Sequence, residues 1–206
     1  MPDQTPRSGS RLETEATLQD AALQQLQREG VLAGLNLRQV ADDARVNRGL
    51  VYHYFGSRRG LLRAALRRDA RSRLSAVQAA SGLPLRERMR RFLTTMLSER
   101  ESVGVATLLV LDGDDQVKVM PLRQETHDLL ERDALEGQLD PQLDFDAVHA
   151  ASASLVYGYS LYRDAFAREF GKPASHLDAE VATVFDRMLS GLEPARQSSR
   201  RPARGD

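Results

Sequence analysis

Apolar side chains recur at helical spacing through nearly all of residues 11–194, and almost no stretch alternates apolar with polar positions in the manner of a strand. The pattern predicts an all-α fold. A first helix is expected over 12–29, with Leu18, Ala22, Leu23 and Leu26 on one stripe and Gly30 placed to end it in a left-handed conformation. Two very short helices should follow, over 37–44 and 48–55, because Asn36 and Asn47 can each accept hydrogen bonds from the free amides of a first turn. Arg45, Val46 and Asn47 form the break between them, and Val40, Ala41 and Ala44 turn inward. Gly56 and Ser57 stop the second short helix, and a longer one is expected over 58–80.

Ser81-Gly82-Leu83-Pro84 is the linker candidate, so domains are expected over 11–80 and 81–194. Helical patterns in the second lie at 85–101, 103–111, 117–139, 145–170 and 177–192, punctuated by Gly113, Pro141 and Gly171-Lys172-Pro173. Residues 1–10 and 195–206 are poor in large apolar side chains and are expected to be disordered tails.

A packing helix, a short capped helix, a tight turn and a second short capped helix form the layout that sets one helix into a DNA major groove. Small Ala41 lets the two short helices cross closely. The charge distribution adds to this. Formal net charge is +0, yet residues 1–75 hold 13 Arg against 8 acidic residues, while the remainder holds 16 basic against 21 acidic. Nine arginines fall between Arg45 and Arg73 against the single acid Asp69, a footprint suited to phosphates, the alternative being a solvated helix face.

Residues 12–66 resemble the DNA-binding domain of the TetR (tetracycline repressor) family. The resemblance rests on Val40-Ala41 in the first short helix, Val46-Asn47 in the turn, Tyr52-His53-Tyr54-Phe55 closing the second, and then Arg58 and Leu61-Leu62. Arg45 departs from it, standing where the family usually has Gly, and a left-handed conformation there would be strained for Arg. The resemblance implies a duplex DNA partner. Arg48 is the candidate for a guanine contact through O6 and N7, with a phosphate contact as the alternative. Leu50 could meet a thymine methyl or lie in the core, and Gly49 permits close approach. Tyr52, Arg58 and Arg38 match backbone-contacting positions, His53 is a candidate for a base or phosphate, and Asn47 sits at the same edge. Val51 and Phe55 are expected to pack on the first helix.

For the second domain the resemblance implies effector binding and homodimerisation through the last two helices. Leu155, Tyr162, Phe166, Val181, Phe185 and Met188 supply apolar surface for that interface, the alternative being internal core. Met96, His127, Tyr157 and Tyr159 are candidates for a small-molecule effector pocket, which needs flexible apolar lining with a few polar groups.

Composition removes other classes. Without cysteine there are no disulfides, thiolate metal sites or thiol nucleophiles. The sequence carries no G-x-S-x-G, Walker loop, H-E-x-x-H or G-x-G-x-x-G, and its four histidines are scattered, so no enzyme, metal or cofactor is expected. Asp112-Gly-Asp-Asp115 resembles a calcium loop only briefly, since Val117 and Arg123 occupy the positions that need Gly and Glu. The apolar run 103–111 is about half the ~20 residues that span a bilayer, and no apolar leader is visible, so a cytoplasmic, non-membrane protein is expected.

Overall fold

The computed structural model describes residues 8–29 and 35–194, which form an all-α fold without strands among those residues. Helix α1 (Ser8–Glu29) packs against α2 (Leu37–Asp43) and α4 (Arg58–Ala79), and α3 (Arg48–Phe55) packs against α2 and α4, in an N-terminal helix-turn-helix unit. Above it stand α5 (Leu85–Ser98), α6 (Arg100–Leu111), α7 (Arg123–Leu135), α8 (Phe145–Glu169) and α9 (Ala174–Ser190). Residues 8–10, expected within a disordered tail, belong to α1, and residues 1–7 lie outside the described residues. Gly30 and the 195–206 tail lie outside the described residues.

The N-terminal core forms from the stripe expected of α1, with Leu18, Ala22 and Leu26 buried against Val40, Ala41, Val51 and Leu61. It also takes in Val105 and Leu109 of α6. A second core joins α5, α6, α8 and α9, and a third, smaller one gathers Leu85, Leu130, Leu139 and Val148. The helix expected over 117–139 is shorter at both ends. Pro121 has no amide to donate and disfavours helix before it, so 112–122 crosses as an irregular strap, and Gly137 at φ 73 ends the other side.

Arg88 on α5 and Asp133 on α7 form a buried bidentate pair: Nη1 donates to Oδ1 at 3.0 Å, Nη2 donates to Oδ2, and Nη1 also donates to the Leu83 carbonyl at 2.7 Å. Asp133 is fully buried. A buried charge left without its partner is costly, so this pair fixes α5 against α7.

Two stability measurements follow from this framework. Asp133→Ala strands the Arg88 guanidinium and should lower unfolding free energy by about 3–5 kcal/mol in a denaturant titration. Arg45, at φ 56 the lone non-glycine residue with positive φ among the described residues, carries strain that glycine relieves. Arg45→Gly should raise unfolding free energy by up to about 1 kcal/mol in the same titration, the relief of a left-handed conformation exceeding the entropy of the more flexible chain.

Candidate nucleic-acid interface

Both short helices start as their caps require. Asn36 Oδ1 accepts from the amides of Arg38 and Gln39 at 3.1 and 3.4 Å, and Asn47 Oδ1 accepts from Gly49 at 2.7 Å. Between them the chain closes α2 with paired bonds, Val46 N–H to the Ala41 carbonyl at 2.9 Å and Arg45 N–H to the Asp42 carbonyl at 3.0 Å. That pattern needs a left-handed residue just past the helix end, which is why Arg45 is driven to positive φ. Buried Gln25 of α1 locks the start of α2, donating to Gln39 Oε1 at 3.1 Å and accepting from the Asn36 amide at 3.2 Å.

Gly60 holds the other side of the unit. A Cβ on Gly60 would lie 2.0 Å from the Phe55 carbonyl oxygen, so α3 and α4 can meet at this angle only with glycine there. Ser57 caps α4 by accepting from the Gly60 amide at 3.0 Å. Neither Gly60 nor the Gln25 bolt was singled out by the sequence. The clue to Gly60 was a glycine three residues into a helix, where it would otherwise only weaken the element.

With Val51 fully buried and Leu50 half-buried, α3 turns Arg48, Gly49, Tyr52 and His53 outward together. The Arg48 guanidinium sits 5.9 Å from the centre of the Tyr52 ring, within cation–π range. Asn47, Arg38 and Arg58 are exposed around this face. Phe55 and Tyr54 are half-buried against the N-terminal core.

The arginines split into two sets. Arg59 and Arg63 of α4 reach Asp112 and Asp114, Arg68 reaches Asp20, and Arg73 lies between Asp69 and Glu99. These four are neutralised internally. Among the described residues no carboxylate pairs with Arg38, Arg45, Arg48, Arg58, Arg67 or Arg71. The basic footprint is therefore smaller than the nine clustered arginines suggested, and the unpaired cations include those flanking the exposed face of α3.

The C-terminal body holds a cavity of about 780 Å³ between α4, α5, α7, α8 and the 112–122 strap. Met96 and Tyr157 line it. His127 and Tyr159 do not. His127 packs its ring against Phe145 at 6.0 Å, and the Tyr159 hydroxyl donates to Asp178 at 2.8 Å, which ties α8 to α9 and raises the Tyr159 pKa together with burial. Arg163 clasps the same carboxylate and holds Asp178 below the usual range.

Of the residues assigned to an interface, Tyr162 and Met188 are more than half exposed, and Leu155, Phe166 and Val181 are half-buried. Phe185 is buried in the second core, so its apolar surface serves the α5–α9 packing of this chain. Phe170 and Val184 add exposed apolar area, and the Phe166 and Phe170 rings stack at 5.9 Å.

Comparison with known proteins agrees with this architecture. Residues 18–65 match the family described as bacterial regulatory proteins, tetR family. The HTH-type transcriptional regulator BetI of Burkholderia cenocepacia (strain HI2424) is 38% identical over 94 residues, which are 37% of this chain and 48% of that protein. The chain thus spans about half the length of the curated relatives it matches. Among solved structures, GusR of Salmonella enterica superposes with a TM-score of 0.70 at 16% identity, covering 93% of this chain and 99% of that one. A TetR-family transcriptional regulator of Pectobacterium atrosepticum superposes at 0.67 with 20% identity, covering 92% and 98%. At those identities the superpositions speak for the fold alone, while the sequence likeness is concentrated in the N-terminal residues. Residues 18–65 of this chain are thus similar to the tetR family of bacterial regulatory proteins.

Proposed function

We propose that the protein is a homodimeric DNA-binding transcription regulator that represses from a palindromic operator and is released by a small molecule held in the C-terminal cavity. The observation that carries this reading is the outward face of α3, where Arg48, Gly49, Tyr52 and His53 stand together beside unpaired Arg38 and Arg58. Arg48 presents its fork to guanine O6 and N7, and Tyr52, Arg38 and Arg58 hold phosphates. Asn47 Oδ1 is committed to the α3 cap, which leaves its amide donor for the backbone. Gly49 admits a base edge, His53 reads a base or phosphate, and the exposed part of Leu50 meets a thymine methyl.

A helix-turn-helix of this kind reads two half-sites one helical turn apart, which calls for a two-fold partner. The exposed apolar residues of α8 and α9, Tyr162 and Met188 among them, support that interface. The chemistry is recognition: the cavity is a binding site, and the reading assigns no catalytic step. Among the described residues no helix is long and apolar enough to cross a membrane, and an operator-binding protein works where the chromosome is, in the cytoplasm.

The 112–122 strap supplies a route for ligand response. Arg59 Nε donates to Asp112 at 2.8 Å, and Arg63 donates to Asp114 at 3.3 Å and to Gln116, pinning one end of the strap to α4. Val119 accepts the Tyr157 hydroxyl at 3.1 Å, and Met120, Pro121 and Leu122 line the cavity. An occupant that shifts the strap favours one placement of α4, and so of α3, over another.

Fluorescence anisotropy on a duplex selected from a random pool, against a scrambled duplex, tests the reading face without any ligand. Arg48→Ala should weaken the selected complex by about 1–3 kcal/mol and relax selectivity, while Tyr52→Ala should weaken both complexes alike. The wild-type affinity should fall with salt by roughly 0.9 in log K per log salt for each phosphate neutralised. Selective binding untouched by either substitution would move the reading surface elsewhere.

A further inference from the structure

The cavity's chemistry narrows what it can hold, on the reading above that it is an effector site. Its walls are apolar and adaptable, built from Met89, Phe92, Met96, Met120, Leu122 and Leu130. Charged side chains also reach it, yet each has a carboxylate or guanidinium of its own. Arg73 lies between Asp69 and Glu99, Arg88 is held by Asp133, and Arg86 and Arg90 share Asp186. Arg91 pairs with Glu87 at the same rim. No lining cation or carboxylate is left over to neutralise a charged ligand, and an unmatched charge is expensive to bury.

Among the uncharged polar groups that remain, two stand on one face of α8. Ser152 is 8% exposed, lines the cavity, and has no hydrogen-bond partner among the described residues. His149, three residues earlier on the same face of α8, is half-buried, lines the cavity and is likewise without a hydrogen bond there. Burial lowers the His149 pKa, Arg123 and His127 add to that, and Asp146 opposes them, so the imidazole is neutral at physiological pH.

We propose that the cavity binds an uncharged, predominantly apolar small molecule bearing a hydrogen-bonding group that meets Ser152 and His149. Its volume suits a ligand of drug-like size. An anion would find only arginines already engaged, and a cation would find carboxylates already engaged.

Charge can be varied on one hydrocarbon chain to test this. Nile red, itself neutral, is bound to the full-length protein and displaced with decanol, decanoate or decyltrimethylammonium. Saturable dye fluorescence is expected, with decanol displacing at a concentration at least about tenfold below either ion, since an unpaired buried charge costs more than the ~1.4 kcal/mol of a tenfold change. Ser152→Phe, or Met120→Trp should the first variant fail to fold, fills the cavity and should abolish dye binding. His149→Lys places an unmatched cation on the wall and should bring decanoate ahead of decanol. Absence of saturable dye binding, displacement by either ion as tight as by decanol, dye binding that survives in a folded cavity-filled variant, or an unchanged order in His149→Lys would overturn the proposal. No DNA enters this experiment and no ligand enters the anisotropy experiment, so failure of one leaves the other standing.

Discussion

Helix α6 is the element that both halves of the molecule need. Val105 and Leu109, 1% and 4% exposed, complete the core under the helix-turn-helix, while Val103, 6% exposed, belongs to the core of the C-terminal body. The α1–α4 core is built largely from small and medium aliphatic side chains, and the apolar area it buries scales the free energy that holds it. Borrowing two aliphatic side chains from α6 closes that core and fixes the helix-turn-helix unit to the body in one step. The exposed Arg59–Asp112 pair reinforces the same junction from the surface, where such pairs add little free energy but set orientation, and Arg63 adds a largely buried pair with Asp114.

Seen from α6, the rest of the architecture falls into place. The strap leaves the end of α6, is stapled to α4, packs Val117 against the N-terminal core, and then contributes Met120 and Leu122 to the cavity. Pro121 keeps this stretch from joining α7. The cavity is therefore walled by a segment whose other end is bonded to α4, the helix that follows α3. Residues 81–84, the linker candidate, form the turn between α4 and α5, where the Leu83 carbonyl accepts from Arg88.

Local structure was legible because its causes are local. Asn36 and Asn47 cap where their side-chain chemistry says they should, and the strain foreseen at Arg45 appears as φ 56. The all-helical class, the stripe of α1 and the outward set on α3 follow from the 3.6-residue period. What escaped was partner choice across the fold. Periodicity cannot say that Arg88 would bury itself on Asp133, that four of the clustered arginines would be neutralised by acids as far away as Asp112, or that Gly60 would lie against the Phe55 carbonyl. Phe185, Tyr159 and His127 show the same limit. Each is an apolar or amphipathic residue on a helix, and only the packing of α5, α7, α8 and α9 decides whether it faces a core, a carboxylate or a cavity.

The central claim is that the cavity and the reading face are energetically linked through α6 and its strap. Linkage is reciprocal, so the direct measurement is the affinity of the protein for Nile red, free and bound to its selected duplex, set beside the affinity for that duplex with and without saturating dye. The account predicts that both ratios differ from one and are equal, with a coupling factor of about 5–150 as is usual for such sites. Identical dye affinities in the free and DNA-bound protein, with both sites demonstrably occupied, would contradict it.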